Sequence, residues 1–322
     1  MSSSIKNVLI IGASGNVGRA ITDAFLRHGG FNVSALTRSS SSSTFAPEVT
    51  VIRTAYTLAS LIDAFTSQHA VVCAIGTVAN ANLENQRLFI HAAEAAGVKK
   101  FIPTEFTLDT SDERVVDLIK CCIMKRDTVD KLREVENRVE WTAVSTGPWV
   151  DWMATAPAEE WPWWDLSNKT FVKFDDGNTP FDASSHAQVG KAIVATLLPE
   201  NREATKNQHI FIRSFRLTQN QVLEIFEKTT GSPWTVVPNS IGDVGKQGRA
   251  IYDEITRDGG ISAAAVHPEL GGKLLLSVGL MISAGIFGLG NWCQFEDKAK
   301  FWMNKLGLED EDPVEVLSKA IR

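Results

Sequence analysis

Three glycines, Gly12, Gly15 and Gly18, stand at G-x-x-G-x-x-G spacing, with Ser14, Asn16 and Val17 between them. An apolar β-branched run precedes them, and a helical pattern through Ala20, Ile21, Ala24, Phe25 and Leu26 follows. In that context the first glycine makes a tight turn. The second lets backbone N–H groups approach a pyrophosphate, and the third allows close helix–strand packing. The phosphates then sit at the positive end of a helix dipole. About 20 residues further on, where an NAD site places an acid on the ribose 2′-hydroxyl, the sequence reads Ala35-Leu36-Thr37-Arg38 with no carboxylate. A guanidinium at Arg38 can stack on adenine and clamp a 2′-phosphate, with Thr37, Ser39 and Ser40 as hydroxyl donors. The pattern favours NADP(H) over NAD(H).

A proton donor is harder to read. Only two tyrosines exist, Tyr56 and Tyr252, and neither has a lysine four residues on, so a Tyr-x-x-x-Lys dyad is absent. No HExxH, GxSxG or phosphate-loop lysine motif occurs, and six dispersed histidines suggest no metal site. Lys125 and Arg126 fall into the apolar stripe formed by Val115, Leu118, Ile119, Cys122 and Val129. A lysine with a buried stem beside a cofactor can move a proton if its pKa is lowered, whereas arginine is a poor proton donor. Spacing alone chooses neither between Lys125 and Arg126, which sits nearer the stripe's centre, nor between a catalytic lysine and a snorkelling stem.

The elements that must position these groups alternate. Strand patterns at residues 6–11, 31–36, 49–53, 70–75 and 100–103 are separated by helical patterns, including 58–65 and 83–96. Short apolar strands between helices imply an α/β fold of Rossmann type, a buried parallel sheet flanked by helices. A single long helix is expected from about 111 to 137, opened by a capping box at Thr110-Ser111-Asp112-Glu113, and then a strand at 141–145. Beyond Gly147-Pro148 the character changes, with Trp149, Trp152, Trp161, Trp163 and Trp164 crowded between prolines. The division expected is 1–153 for the nucleotide domain, with 187–213 rejoining it. Residues 154–322 then form a smaller C-terminal α/β region that is mainly substrate-binding.

The chain has 322 residues, 44% of them hydrophobic, with net charge −6. Its mean hydropathy is −0.05 and its pI about 5.6. An acidic balance argues against a nucleic-acid surface. Four cysteines without CxxC spacing read as reduced thiols. The four-residue apolar run 8–11 is too short for a secretory signal, and a cytoplasmic protein, monomeric or homodimeric, is expected. Residues 274–295 carry no charge, which raises a membrane-span alternative. Their four glycines favour a buried or pocket-lining helix instead.

Several blocks resemble the isoflavone reductase-like and NmrA-like branch of atypical short-chain dehydrogenases, particularly its fungal members. They are Val8-Leu9-Ile10-Ile11-Gly12-Ala13-Ser14-Gly15-Asn16-Val17-Gly18, Gly97-Val98-Lys99-Lys100-Phe101-Ile102-Pro103-Thr104-Glu105-Phe106, Asp176-Gly177-Asn178-Thr179-Pro180 and Ser214-Phe215-Arg216-Leu217-Thr218-Gln219-Asn220. Close similarity covers about residues 5–155. The family's active-site lysine aligns with Lys125. The resemblance implies NADPH lying against Ala74, Ile75, Gly76, Thr104, Glu105, Phe106, Lys125 and Pro148. Hydride would pass to a conjugated or aromatic small molecule in secondary metabolism, with Lys125 moving a proton at a phenolic or enolic oxygen. Trp149, Trp152 and Met153 would wall a flat substrate. The sequence departs from the family at Thr104, Trp149 and Ala55-Tyr56, the last near the adenine. The other activity the resemblance allows is an NADP-sensing regulator without turnover. A lysine at 125 and an aromatic entrance favour the enzyme.

Overall fold

In the computed structural model, residues 4–76, 83–157, 160–257, 260–261, 267–288, 290 and 292–322 are described. The glycine loop follows β1 (Asn7–Ile11), whose residues from Val8 onward are fully buried, as a strand covered on both faces requires. The other strands of the large sheet are β2 (Asn32–Arg38), β3 (Thr50–Thr54), β4 (Ala70–Cys73), β5 (Lys100–Ile102) and β6 (Glu140–Ser145). Every pairing is parallel, in the order β3-β2-β1-β4-β5-β6, with a further strand beyond β6. The winding direction reverses between β1 and β4, and a crevice opens where their carboxyl ends diverge.

One apolar cluster on the sheet joins Val8, Ile10 and Phe25 to Val189, Ile193 and Met303. A second cluster joins Leu9, Ile11 and Phe65 to Phe89, Val129 and Trp141. Alternate residues of β1 therefore feed opposite layers, the period-two rule of a strand. Helix His186–Leu197 packs on helix Asn16–His28 so closely that a Cβ on Gly190 would lie 2.6 Å from the Ala20 carbonyl oxygen.

After β6 the chain builds smaller sheets. β7 (Trp164–Asp165), β8 (Thr170–Phe174) and β12 (Thr235–Asn239) form one, and β9 (Phe181–Ala183) pairs with β11 (Phe215–Leu217). The chain returns to the large sheet twice. β10 (Gln208–Phe211) adds beside β6, and helix Glu296–Leu306 packs on β10 and on His186–Leu197. Thr218 caps helix Gln219–Thr230 with a full capping box, and Gly231 ends that helix in the left-handed region.

The long helix expected over 111–137 is broken. It becomes Glu113–Leu118, a 3₁₀ turn at Lys120–Cys122, and helix Ile123–Glu134. Ile119 leaves helical geometry at φ −112°, ψ 84°. The break lets Cys121 be buried along with Ile119 and Cys122, although on one straight helix it would point away from the stripe those two share. The cap also differs. Asp112 accepts from the Arg114 amide, while the Thr110 hydroxyl is spent on the Glu105 carboxylate.

Candidate functional site: a glycine cradle opening on an apolar chamber

Gly12 adopts φ +80°, and a Cβ there would lie 2.6 Å from the Ala74 carbonyl oxygen. A Cβ on Gly18 would lie 2.1 Å from the Gly12 carbonyl oxygen. Both positions require glycine for the close approach of loop, strand and helix. The Gly15 amide donates to that carbonyl at 2.9 Å, which closes the turn. Helix Asn16–His28 then begins with no side-chain cap and no acidic residue in its first turn. Its leading N–H groups thus meet no capping side chain and no carboxylate of their own turn, the arrangement an anion site needs. Arg19 binds the Ser14 carbonyl and braces the loop from outside.

Gly15, Asn16 and Val17 lie in the wall of a cavity of about 450 Å³. The same wall contains Ala74, Ile75 and Gly76 beyond β4, Thr104 and Phe106 beyond β5, and Gly147 and Pro148 beyond β6. Lys125, Trp149, Trp152 and Met153 line it as well, whereas Gly12, Ser14, Gly18, Thr37, Arg38, Ser39 and Glu105, also expected from sequence, are not among its lining residues. The Thr104 hydroxyl donates to the Ile75 carbonyl at 2.9 Å, tying the ends of β4 and β5 together. Gly147 has φ +63°, and a Cβ there would meet the Asp182 carbonyl oxygen at 2.3 Å, so the turn into the chamber excludes a side chain.

Lys125 reaches in from helix Ile123–Glu134. Its Nζ donates to the Thr104 carbonyl and, at 3.0 Å, to the Glu105 carbonyl. Two acceptors fix the amine and leave its third N–H for the cavity. The neighbouring Arg126 instead donates twice to the Thr110 carbonyl, at 3.0 and 2.7 Å, away from the chamber. The ambiguity in the stripe is thereby resolved in favour of Lys125 as the cavity residue.

The Glu105 carboxylate is fully buried and accepts from Thr110, while its backbone carbonyl accepts from Lys125. At the far tip of β2, Thr37 is buried, which leaves Arg38, Ser39 and Ser40 as the exposed groups there. Arg53 donates to the Ser41 and Ser43 carbonyls at 2.6 and 3.0 Å and shapes the serine loop, a role the sequence did not announce. Tyr56, at φ +59°, sets its ring edge-on to Phe89. Burial pushes its phenol up to about 12, against the opposing charge of Arg38.

The roof was only partly foreseen. Trp161 lines it beside Trp152, whereas Trp163 and Trp164 are buried in the core. The rest comes from helix Pro268–Phe287, through Leu275, Val278, Gly279, Ile282 and Ile286. That helix has a 19-residue apolar stretch long enough to cross a membrane, yet 56% of its most apolar window is buried inside the protein. Its chamber-facing residues give the uncharged segment a use. Of the segment, positions 289 and 291 lie outside the described residues. Cys121 and Cys122 also line the cavity, and Glu160 marks its edge.

The fold and cradle are those of a dinucleotide-dependent α/β reductase class, and comparison with known proteins agrees. The NmrA-like family model matches residues 4–256. Oxidoreductase aprR of Aspergillus flavus is 34% identical over 71% of this chain and 75% of its own length. Oxidoreductase poxI of Penicillium oxalicum is 32% identical over 70% of each. Isoflavone reductase of Medicago sativa is 27% identical over 70% of this chain and 76% of its own. Among solved structures, AtPrR2 with NADP+ and (+)pinoresinol superposes with TM-score 0.72 at 19% identity, covering 99% of this chain and 100% of that one. Leucoanthocyanidin reductase from Vitis vinifera gives 0.66 at 20% identity, covering 90% and 88%. The chain belongs to the NmrA-like family, in its isoflavone reductase-like branch, and is an oxidoreductase.

Proposed function

We propose that the protein is an NADPH-dependent reductase acting on a flat, conjugated or aromatic small molecule, with Lys125 as its general acid and base. One observation carries the reading. The anchored amine of Lys125 and the uncapped start of helix Asn16–His28 share the wall of a single, mainly apolar cavity. When bound, NADPH supplies the hydride; the protein supplies orientation and electrostatics. Gly12, Gly15, Gly18, Asn16 and Val17 would hold the pyrophosphate, and Arg38 with Ser39 the 2′-phosphate. The β4 and β5 ends at 74–76 and 104–106, with Pro148, would flank the reducing end. Lys125 would donate a proton or hydrogen bond to a phenolic or enolic oxygen, quenching the negative charge that develops there. Trp149, Trp152, Trp161 and Met153 would orient the ring and exclude water.

A division of labour follows from this reading. The large sheet would hold the cofactor, and the segment beyond 153 would choose the substrate. The four cysteines are free thiols, which fits a reducing compartment such as the cytosol. Purified protein with NADPH and a panel of phenolic, enone and imine metabolites provides the test, followed at the nicotinamide absorbance band. Consumption by at least one panel member, lost in Lys125→Met, is expected. Tight NADPH binding without consumption by any conjugated compound would favour a sensor.

A further inference from the structure

Segment 104–111 carries hydroxyl side chains at Thr104, Thr107, Thr110 and Ser111, and all but one are spent inside the protein. Thr104 donates to the Ile75 carbonyl, Thr110 to the Glu105 carboxylate and Ser111 to the Asp109 carboxylate. Thr107 is the exception. It is only 9% exposed, yet its hydroxyl has no hydrogen-bond partner among the described residues. Buried hydroxyls are as a rule paired, so this one calls for a partner that the fold does not supply. Its oxygen is not sealed from open space as the Trp161 Nε1 is, and the space that Thr107 lines is the chamber. We propose that Thr107 is a specificity-determining residue whose hydroxyl hydrogen-bonds a second oxygen of the substrate, close to the one that meets Lys125. The inference rests on the reductase reading only for the idea that conjugated molecules enter this chamber.

The main chain holds this hydroxyl in place. The Thr107 carbonyl accepts from the Thr146 and Gly147 amides at 3.0 and 3.1 Å, which ties the segment to the end of β6. On one side stands Phe106, among the residues assigned to the reducing end of the cofactor. On the other, Leu108 packs under the roof helix, where a Cβ on Gly285 would come within 2.8 Å of its side chain. Thr107 therefore lies where the cofactor wall passes into the substrate wall. The Lys125 amine sits on the Glu105 carbonyl, two residues back, a span of at most about 7 Å along the chain. One small molecule can reach both groups. The ammonium only donates, whereas the hydroxyl donates and accepts, so the second oxygen can be a hydroxyl, an ether or a carbonyl. Against the mainly apolar remainder of the wall such an oxygen would lose its water and gain no partner.

The test is calorimetry on the full chain saturated with NADP+. The probes are 4-(4-hydroxyphenyl)but-3-en-2-one and its 3,4-dihydroxyphenyl analogue, which adds one oxygen beside the first. The parent should bind the dihydroxy compound about 3- to 10-fold more tightly, the worth of one neutral hydrogen bond. Thr107→Val keeps the shape without the oxygen and should bring the two probes to within about twofold of each other, whereas Thr107→Ser should keep the preference. Without ligand, Thr107→Val should melt at the temperature of the parent, because it removes no bond within the protein. A lower melting temperature would reveal a structural partner and overturn the inference. So would an unchanged preference in Thr107→Val, no preference in the parent, or weakened NADPH binding in the variant. If the preference collapses in Thr107→Val but no panel compound consumes NADPH, the reductase reading falls and this inference stands; turnover with an unchanged preference does the reverse.

Discussion

Two lysines of this molecule, Lys100 and Lys125, donate to backbone carbonyls, and their settings could hardly differ more. Lys100, in β5, is wholly enclosed, with its Nζ on the Thr196 carbonyl at 3.0 Å and the Thr205 hydroxyl at 2.7 Å. Burial drives its pKa down to about 7, partly offset by the charge of Glu140. Lys125 is half-buried, and its remaining N–H opens on a chamber. A strongly lowered lysine pKa is a common marker of function, yet here it marks an amine that no ligand can reach. Access to a cavity, which Lys125 has and Lys100 lacks, is what the proposed proton transfer requires.

The contrast can be broken in stages. Lys125→Met should lower turnover by about 10²- to 10⁴-fold while NADPH affinity, measured by calorimetry, stays near that of the parent. Loss of both together would make the amine a binding group. Next in size is Arg38→Ala, which should weaken NADPH binding by about 10- to 100-fold and leave NADH binding nearly unchanged. Equal losses would remove Arg38 from 2′-phosphate recognition.

The smallest effect belongs to Lys100→Met. Because the folded pKa of Lys100 lies below its unfolded value of 10.5, the unfolded chain binds more protons between about pH 7 and 10.5. This group therefore makes stability rise with pH across that window, by up to about 1.4 kcal/mol per pH unit, and adds no slope below it. The methionine variant should flatten that rise in denaturant melts at pH 7, 8 and 9. Its turnover should match the parent. The Thr205 hydroxyl, 3.3 Å from the Thr196 carbonyl, remains to satisfy that oxygen. An unchanged slope would mean that Lys100 titrates outside the window.

Legibility in the sequence followed the range of the interactions. The glycine loop and alternating strands were readable because they depend on near neighbours, such as Gly12 at a tight turn and Val8, Leu9, Ile10 and Ile11 in a buried strand. The broken helix at Ile119 was not, since two separate packing demands on Ile119 and Cys121–Cys122 break it across the fold. The burial of the Glu105 side chain escaped the sequence for a related reason. Its motif is local, but its carboxylate is claimed by Thr110 five residues away, where a capping role was expected. The uncharged stretch from 274 signalled burial without saying against what, and the answer is helix Ile241–Ile255, whose Gly248 lies against Ser277, Leu280 and Met281.

Helix Pro268–Phe287 places Gly279 at the chamber wall, and the nearest atom to a Cβ built there is the Glu160 carbonyl oxygen at 3.5 Å. Adding a methyl group would therefore meet only ordinary contact, with no strain on the backbone. Each carbon added at that position would take volume from the chamber alone, so a series from alanine upward is expected to narrow the space open to a ligand without disturbing the backbone.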